Sequence, residues 1–190
     1  MLNNMKKLSS QSGFTLVETL IAIFILSMTI GALLSLAAGG FISVRYARNQ
    51  IVANYLMQES LEYVRNTRDE AFINSVPWSD WIATYTAHDC DKDGCYVDPY
   101  AANQALRIEA CSGECPAISF YEDEGFYGYQ PVTRYSFASA GTVYQTTYVR
   151  TVTFRQQSAD EIIVTVTMKW LNGTNQKSVS QSILLTNWSQ

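Results

Sequence analysis

Lys6-Lys7-Leu8-Ser9-Ser10-Gln11-Ser12-Gly13-Phe14-Thr15-Leu16-Val17-Glu18 joins two unlike kinds of chain. On its N-terminal side, Met1 to Ser12 is short, polar and basic. The run that follows, Phe14 to Val44, is hydrophobic and carries one charge, Glu18. A helix of that length spans a bilayer. A secretory signal places its small-residue cleavage site after the apolar stretch, whereas the small polar block Ser9 to Gly13 precedes it here. Cleavage ahead of the stretch leaves the apolar helix on the mature chain. Lys6 and Lys7 mark the side expected to stay cytoplasmic, so everything after Val44 is expected outside.

This junction resembles the processing site of type IV prepilins and type II secretion pseudopilins. The resemblance implies that residues 1–13 are a leader, that a membrane-embedded prepilin peptidase cuts between Gly13 and Phe14, and that the new amino group of Phe14 is methylated. It also implies an assembly role for Glu18. A carboxylate inside a bilayer costs roughly 2.5–3.5 kcal/mol on insertion scales, so it needs a partner. The cation that reaches its depth is a freed amino terminus at Phe14, its own or a neighbour's. In the family it is the neighbour's, and each incoming subunit docks in register by neutralising a buried charge. The implied partners are other pilin or pseudopilin subunits in a helical filament, the peptidase and the inner membrane. The implied location is a single-pass inner-membrane anchor with the head outside, followed by an extracellular or periplasmic filament.

Along the same helix Ser27, Gly31, Ser35 and Gly39 recur every four residues, a small-residue ridge of the kind that lets membrane helices approach closely. Gly31, Gly39 and Gly40 each lower helix stability by roughly 1 kcal/mol relative to alanine, which makes these turns candidates for unwinding during packing.

After Val44 the pattern turns amphipathic, with Ile51, Val52, Tyr55, Leu56 and Tyr63 on one side and Arg48, Asn49, Glu59 and Glu62 elsewhere. A helix from Phe14 to Arg68 is about 80 Å long at 1.5 Å per residue, so its second half must pack on the head. Glu62 with Arg65, and Arg65 with Asp69, have the spacing of solvated helix pairs. A connecting region is expected around Pro77 to Trp81. Strands are expected over Thr142 to Arg155, Ile162 to Leu171 and Val179 to Trp188, with Asn172-Gly173 as a hairpin signal whose loop extends at most through Gly173-Thr174-Asn175.

The expected fold is α+β: a long N-terminal helix, transmembrane over 14–44 and amphipathic over 45–70, packed on a C-terminal antiparallel sheet. The head covers 71–190, with a variable Cys/Asp region over 85–130 and the sheet over 134–188. With Trp170 and Trp188 near strand ends, this looks like the globular region of pilins, particularly minor ones.

The variable region contains Asp89-Cys90-Asp91-Lys92-Asp93-Gly94-Cys95-Tyr96-Val97-Asp98. Alternating Asp89, Asp91 and Asp93 before Gly94 resemble the first half of an EF-hand calcium loop, with Asp98 available to complete the shell. The glutamate expected at the twelfth position is Tyr100, so a solvated acidic turn closed by a disulfide is the other reading. The four cysteines suit an oxidising compartment, and their spacing favours Cys90 with Cys95 and Cys111 with Cys115, with crossed pairing as the alternative. Four thiolates also suffice for zinc, although these spacings are loose and the compartment disfavours it. Many major pilins carry a disulfide near the C-terminus, and no cysteine follows Cys115 here, which argues for a minor subunit.

The net charge is −4, and losing Lys6 and Lys7 with the leader lowers it to −6. Duplex binding needs clustered cations, and the one short basic cluster, Arg45 to Arg48, lies on the helix near the membrane, so no nucleic acid is expected as a partner. His88 is the only histidine, and there is no G-x-S-x-G, H-E-x-x-H or phosphate-cradling loop, so no catalysis is expected. The rival functions are a type II secretion pseudopilin and a calcium-dependent adhesin head delivered by a pilus.

Overall fold

The computed structural model describes residues 13–86, 89–104, 107–138 and 141–188. Of the expected leader only Gly13 falls within them, and His88 also lies outside.

The chain forms two compact units that divide within the first helix between Arg45 and Tyr46. That helix, α1 (Leu16–Ile73), is unbroken across Gly39 and Gly40. It runs five residues past the expected end at Arg68 and stops for a local reason. The Ser75 N–H donates to Phe72 O (3.0 Å), the Val76 N–H donates to Ala71 O (2.8 Å), and Ser75 takes the left-handed conformation at φ 56°. This is a Schellman stop, followed at once by Pro77, which cannot continue a helix.

In the unit that begins at Tyr46, α1 buries Ala53, Leu56, Met57, Ser60, Leu61 and Val64, the i, i+3, i+4, i+7 series of one helix face. This corrects the expected stripe. Of its five residues only Leu56 is fully buried; Ile51 and Tyr55 are 56% and 68% exposed. The real seam mixes small and large side chains, Ala53 and Ser60 among Leu56, Met57, Leu61 and Val64. Each large apolar side chain buried there contributes about 1.5–3 kcal/mol.

Among the described residues seven strands form one sheet: β1 (Cys95–Val97), β2 (Ile108–Ala110), β3 (Ala117–Tyr121), β4 (Phe126–Gly128), β5 (Val143–Ser158), β6 (Glu161–Asn172) and β7 (Asn175–Thr186). All the pairings are antiparallel. The strand β5 organises the rest: β6 lies along one edge, while β1 and β3 pair with successive stretches of the other, at Val152 and at Val143 to Val149. In β6, Ile162, Val164, Val166, Met168 and Trp170 alternate into the core, as a half-buried strand requires. Asn172 pairs with Asn175, so the hairpin loop is only Gly173 and Thr174. The positive φ of Gly173, 65°, at the first loop position is the pattern of a type II′ turn.

The region around Pro77 to Trp81 is not a plain connector. The Asp80 and Trp81 N–H groups donate to Pro77 O at 3.0 and 3.1 Å, starting α2 (Trp78–Thr86), which buries Trp81, Ile82 and Tyr85. The remaining departure is that β1 to β4 lie in the Cys/Asp region, where residues 85–130 gave no strand signal. These strands are three to five residues long, too short for a pattern of period 2 to stand out.

Candidate functional site

The residues expected to serve assembly lie at and beyond the start of α1. From Gly13 through Arg48 every residue is exposed within the protomer. An uncovered apolar helix of this length is stable only in lipid or against other helices. Its start is specified by Thr15, whose Oγ1 accepts from the Glu18 N–H (3.3 Å) while its carbonyl accepts from the Thr19 N–H (3.2 Å). Thr15-Leu16-Val17-Glu18 therefore has the spacing of a capping box, with Thr15 as N-cap and Glu18 at the third helical position. The carboxylate also faces the positive end of the helix dipole, a favourable placement worth about 0.3–1 kcal/mol in water. This helix start was missed in the sequence reading, although the T-x-x-E spacing was its signal.

Ser27, Gly31, Ser35 and Gly39 all lie on the exposed part of α1. Ser27 Oγ donates back to Ile23 O (2.7 Å), so its hydroxyl is satisfied without a partner helix. A methyl group added at Gly31, Gly39 or Gly40 would meet nothing within 4 Å in the protomer.

In the head, Cys90 is bonded to Cys95 and Cys111 to Cys115, with Cα separations of 5.0 and 4.7 Å. The two clips are tied together, since the Cys111 N–H donates to Gly94 O (3.0 Å), and they are tied to β5 by the Phe154 N–H, which donates to Cys90 O (3.3 Å). Gly94 sits at φ 78°, and a Cβ there would fall 2.5 Å from Thr151 Cγ2, so both conformation and space demand glycine.

The four aspartates expected to bind calcium do not converge. Among the described residues no group of three or more His, Cys, Asp or Glu side chains is placed to hold a metal ion. Asp89 holds Lys92 at 2.8 Å, and that hydrogen bond keeps its carboxyl below the usual range; Asp91 and Asp93 point into solvent on an exposed turn. Asp98 is the clear correction. It is buried, and its oxygens accept from Arg134 Nε (3.0 Å), the Tyr135 hydroxyl (3.0 Å) and the Tyr100 N–H (3.3 Å), so it serves the core. Burial pushes the Asp98 carboxyl above its ordinary value, against the pull of these bonds.

Two buried guanidinium networks were not read from the sequence at all. Arg134 joins Asp98 to Glu109 (2.5 Å); burial works against its charge, but these carboxylates hold it protonated. Arg150, on β5, donates to Leu56 O (2.9 Å), Glu59 Oε2 (2.7 Å), Val97 O and the Tyr129 hydroxyl (3.3 Å). One side chain thereby links α1, β1 and β5 with the segment after β4. An arginine alternating with apolar residues on a strand gives no hint of burial, because the acceptors are backbone carbonyls brought up by topology.

Residues 8–34 match the family model described as the prokaryotic N-terminal methylation motif. No curated protein and no solved structure gives a significant match to the chain. The motif covers the junction quoted at the outset, and α1 is long and apolar enough to cross a membrane, which fits a single-pass inner-membrane anchor. The chain thus joins the N-terminal methylation motif, the hallmark of type IV pilins and pseudopilins, to a pilin-like α+β fold of one long helix packed on an antiparallel sheet.

Proposed function

We propose that the mature chain is a structural subunit of a type IV pilus, of the minor-pilin kind, and that it has no catalytic role. The observation that carries this reading is the methylation motif on an uncovered apolar helix that continues into a disulfide-clipped head. In this reading the peptidase cuts between Gly13 and Phe14, and the Phe14 amine is methylated. Glu18 of a subunit in the filament meets the Phe14 ammonium of the incoming one, and Ser27, Gly31, Ser35 and Gly39 allow neighbouring helices to close up. Local clips at Cys90–Cys95 and Cys111–Cys115, with no cysteine after Cys115, favour a minor over a major subunit. Intact-mass measurement on protein recovered from membranes and sheared filaments tests it. A chain that begins at methylated Phe14 and is present in filaments is the expected result; one that retains residues 1–13 overturns it. Recovery in a short periplasmic filament that serves protein export, instead of on the cell surface, would assign the chain to the pseudopilins.

A further inference from the structure

Beyond the end of α1, large apolar side chains stand exposed together. Ile73 is 78% and Trp188 55% exposed, with Phe72 and Val76 also open to solvent. Phe72, Val76 and Trp188 form one patch, with Ile73 next to Phe72 in the chain: Phe72 packs on Trp188 with ring centroids 4.5 Å apart, and both line a shallow pocket with Arg68, Val76, Trp78 and Trp81. Monomeric proteins seldom leave such a concentration uncovered, and tryptophan with arginine is the composition of interface anchors. The rim is acidic. Asp80 is exposed one residue from Trp81, and Asp160 adjoins the patch, where its carboxylate accepts from Asn187 Nδ2 (2.9 Å) and the neighbouring Ala159 carbonyl accepts from Trp78 Nε1 (3.0 Å). Arg68 is the one cation lining the pocket among the described residues; Asp69 holds it at 2.6 Å, and it lies over the Trp188 ring. The patch therefore asks for an apolar partner that carries positive charge.

The same sequence supplies one. Arg45 and Arg48 are exposed on successive positions of one α1 turn beside Tyr46, and among the described residues neither takes part in an ion pair. Within one copy they cannot reach the patch, because about 30 Å of continuous helix separates Arg48 from Asp69 at 1.5 Å per residue. A second copy displaced by that length along the helix direction can. We propose that the acid-rimmed aromatic patch around Ile73 and Trp188 seats the Arg45–Arg48 segment of a second copy of this chain. The inference rests on the filament reading above and names the head surface that reading leaves open.

The test uses the full chain in its own membrane, with the photo-crosslinker benzoylphenylalanine at position 73 and isotope-mixed copies to mark crosslinks between molecules. The expected product joins position 73 of one copy to Tyr46 or its neighbours in another. Arg45→Glu with Arg48→Glu should lower the yield about fivefold, the scale of two rim ion pairs, and adding Asp80→Lys should raise it again. Crosslinks to another surface or only to other proteins, or a yield indifferent to charge reversal, overturn the proposal. Glu18→Ala separates the two readings. Polymer that needs Glu18 but gives no crosslink at position 73 removes the patch alone, whereas polymer and crosslink that both survive Glu18→Ala remove the filament reading.

Discussion

At the scale of single residues, the helix start and the filament reading ask different things of Glu18, and substitution can separate them. At the third position after a Thr15 N-cap either glutamate or glutamine suits the helix start. As the partner of a buried ammonium Glu18 needs a charge. Glu18→Gln should therefore keep the start of α1 intact while lowering incorporation into filaments at least about tenfold, the scale of 1.4 kcal/mol. Glu18→Ala should lose both. Amide exchange at the first turn of α1, measured beside filament yield, checks the pair; equal yield for Glu18→Gln and the native chain would show that charge is not what assembly reads. Arg150 presents the opposite case, a charge used for folding. Replacing it with methionine leaves Leu56 O and Val97 O without their donor and Glu59 without its cation, at a cost of about 3–5 kcal/mol. Urea unfolding of the detergent-solubilised chain measures that loss, and adding Glu59→Gln should recover part of it. The difference in legibility between the two residues has a physical origin. Glu18 is alone in an apolar run, so its chemistry is visible in one dimension, whereas the partners of Arg150 are 21 to 94 residues away and meet it only once the sheet has closed.

The elements were legible in proportion to their length. The strands β5, β6 and β7, each twelve residues or more, and the apolar part of α1 carry periods long enough to read. The short strands of the Cys/Asp region and the nine-residue α2 do not, and of the two readings of the aspartates the calcium one could not foresee that Asp98, just after β1, turns inward to Arg134. The C-terminus of α1 was missed for a related reason: its stop is made by Ser75, not by the glycine that usually announces one. A serine held at φ 56° carries a steric cost that glycine does not. Ser75→Gly should accordingly stabilise the head by about 0.5–1 kcal/mol, the usual gain where a left-handed position is given back to glycine. A higher midpoint of thermal unfolding with unchanged helix content is the expected result; a lower midpoint would mean that the Ser75 side chain contributes something the backbone geometry does not reveal.

For the whole molecule, the head is an aromatic structure tied by buried hydroxyls, and this predicts how it fails with pH. Burial holds the Tyr85, Tyr129 and Tyr135 phenols above their ordinary range, and burial together with the Glu109 carboxylate pushes Tyr96 up to about 12. The Tyr135 hydroxyl accepts from the Tyr129 N–H and donates to Asp98, and the Tyr85 hydroxyl is bonded to Thr67 (2.7 Å), so their protons are part of the packing. In the unfolded chain the same tyrosines titrate near 10. Their contribution is therefore fully present below about pH 10; above it the unfolded state holds fewer protons than the folded one, so stability falls as pH rises. Asp98 does not supply an offsetting gain on the alkaline side, because its own value is raised too: its contribution is complete in acid and wanes as pH passes the carboxylate range. Alkaline titration should then show a cooperative rise in phenolate absorbance that coincides with loss of near-ultraviolet circular dichroism. A smooth titration of every tyrosine near 10 with the fold intact would mean that these hydroxyls are not held in the core. Tyr135→Phe sharpens the test, since it removes the donor to Asp98 while keeping the ring against Tyr121 and Phe126, and it should move the cooperative step to lower pH.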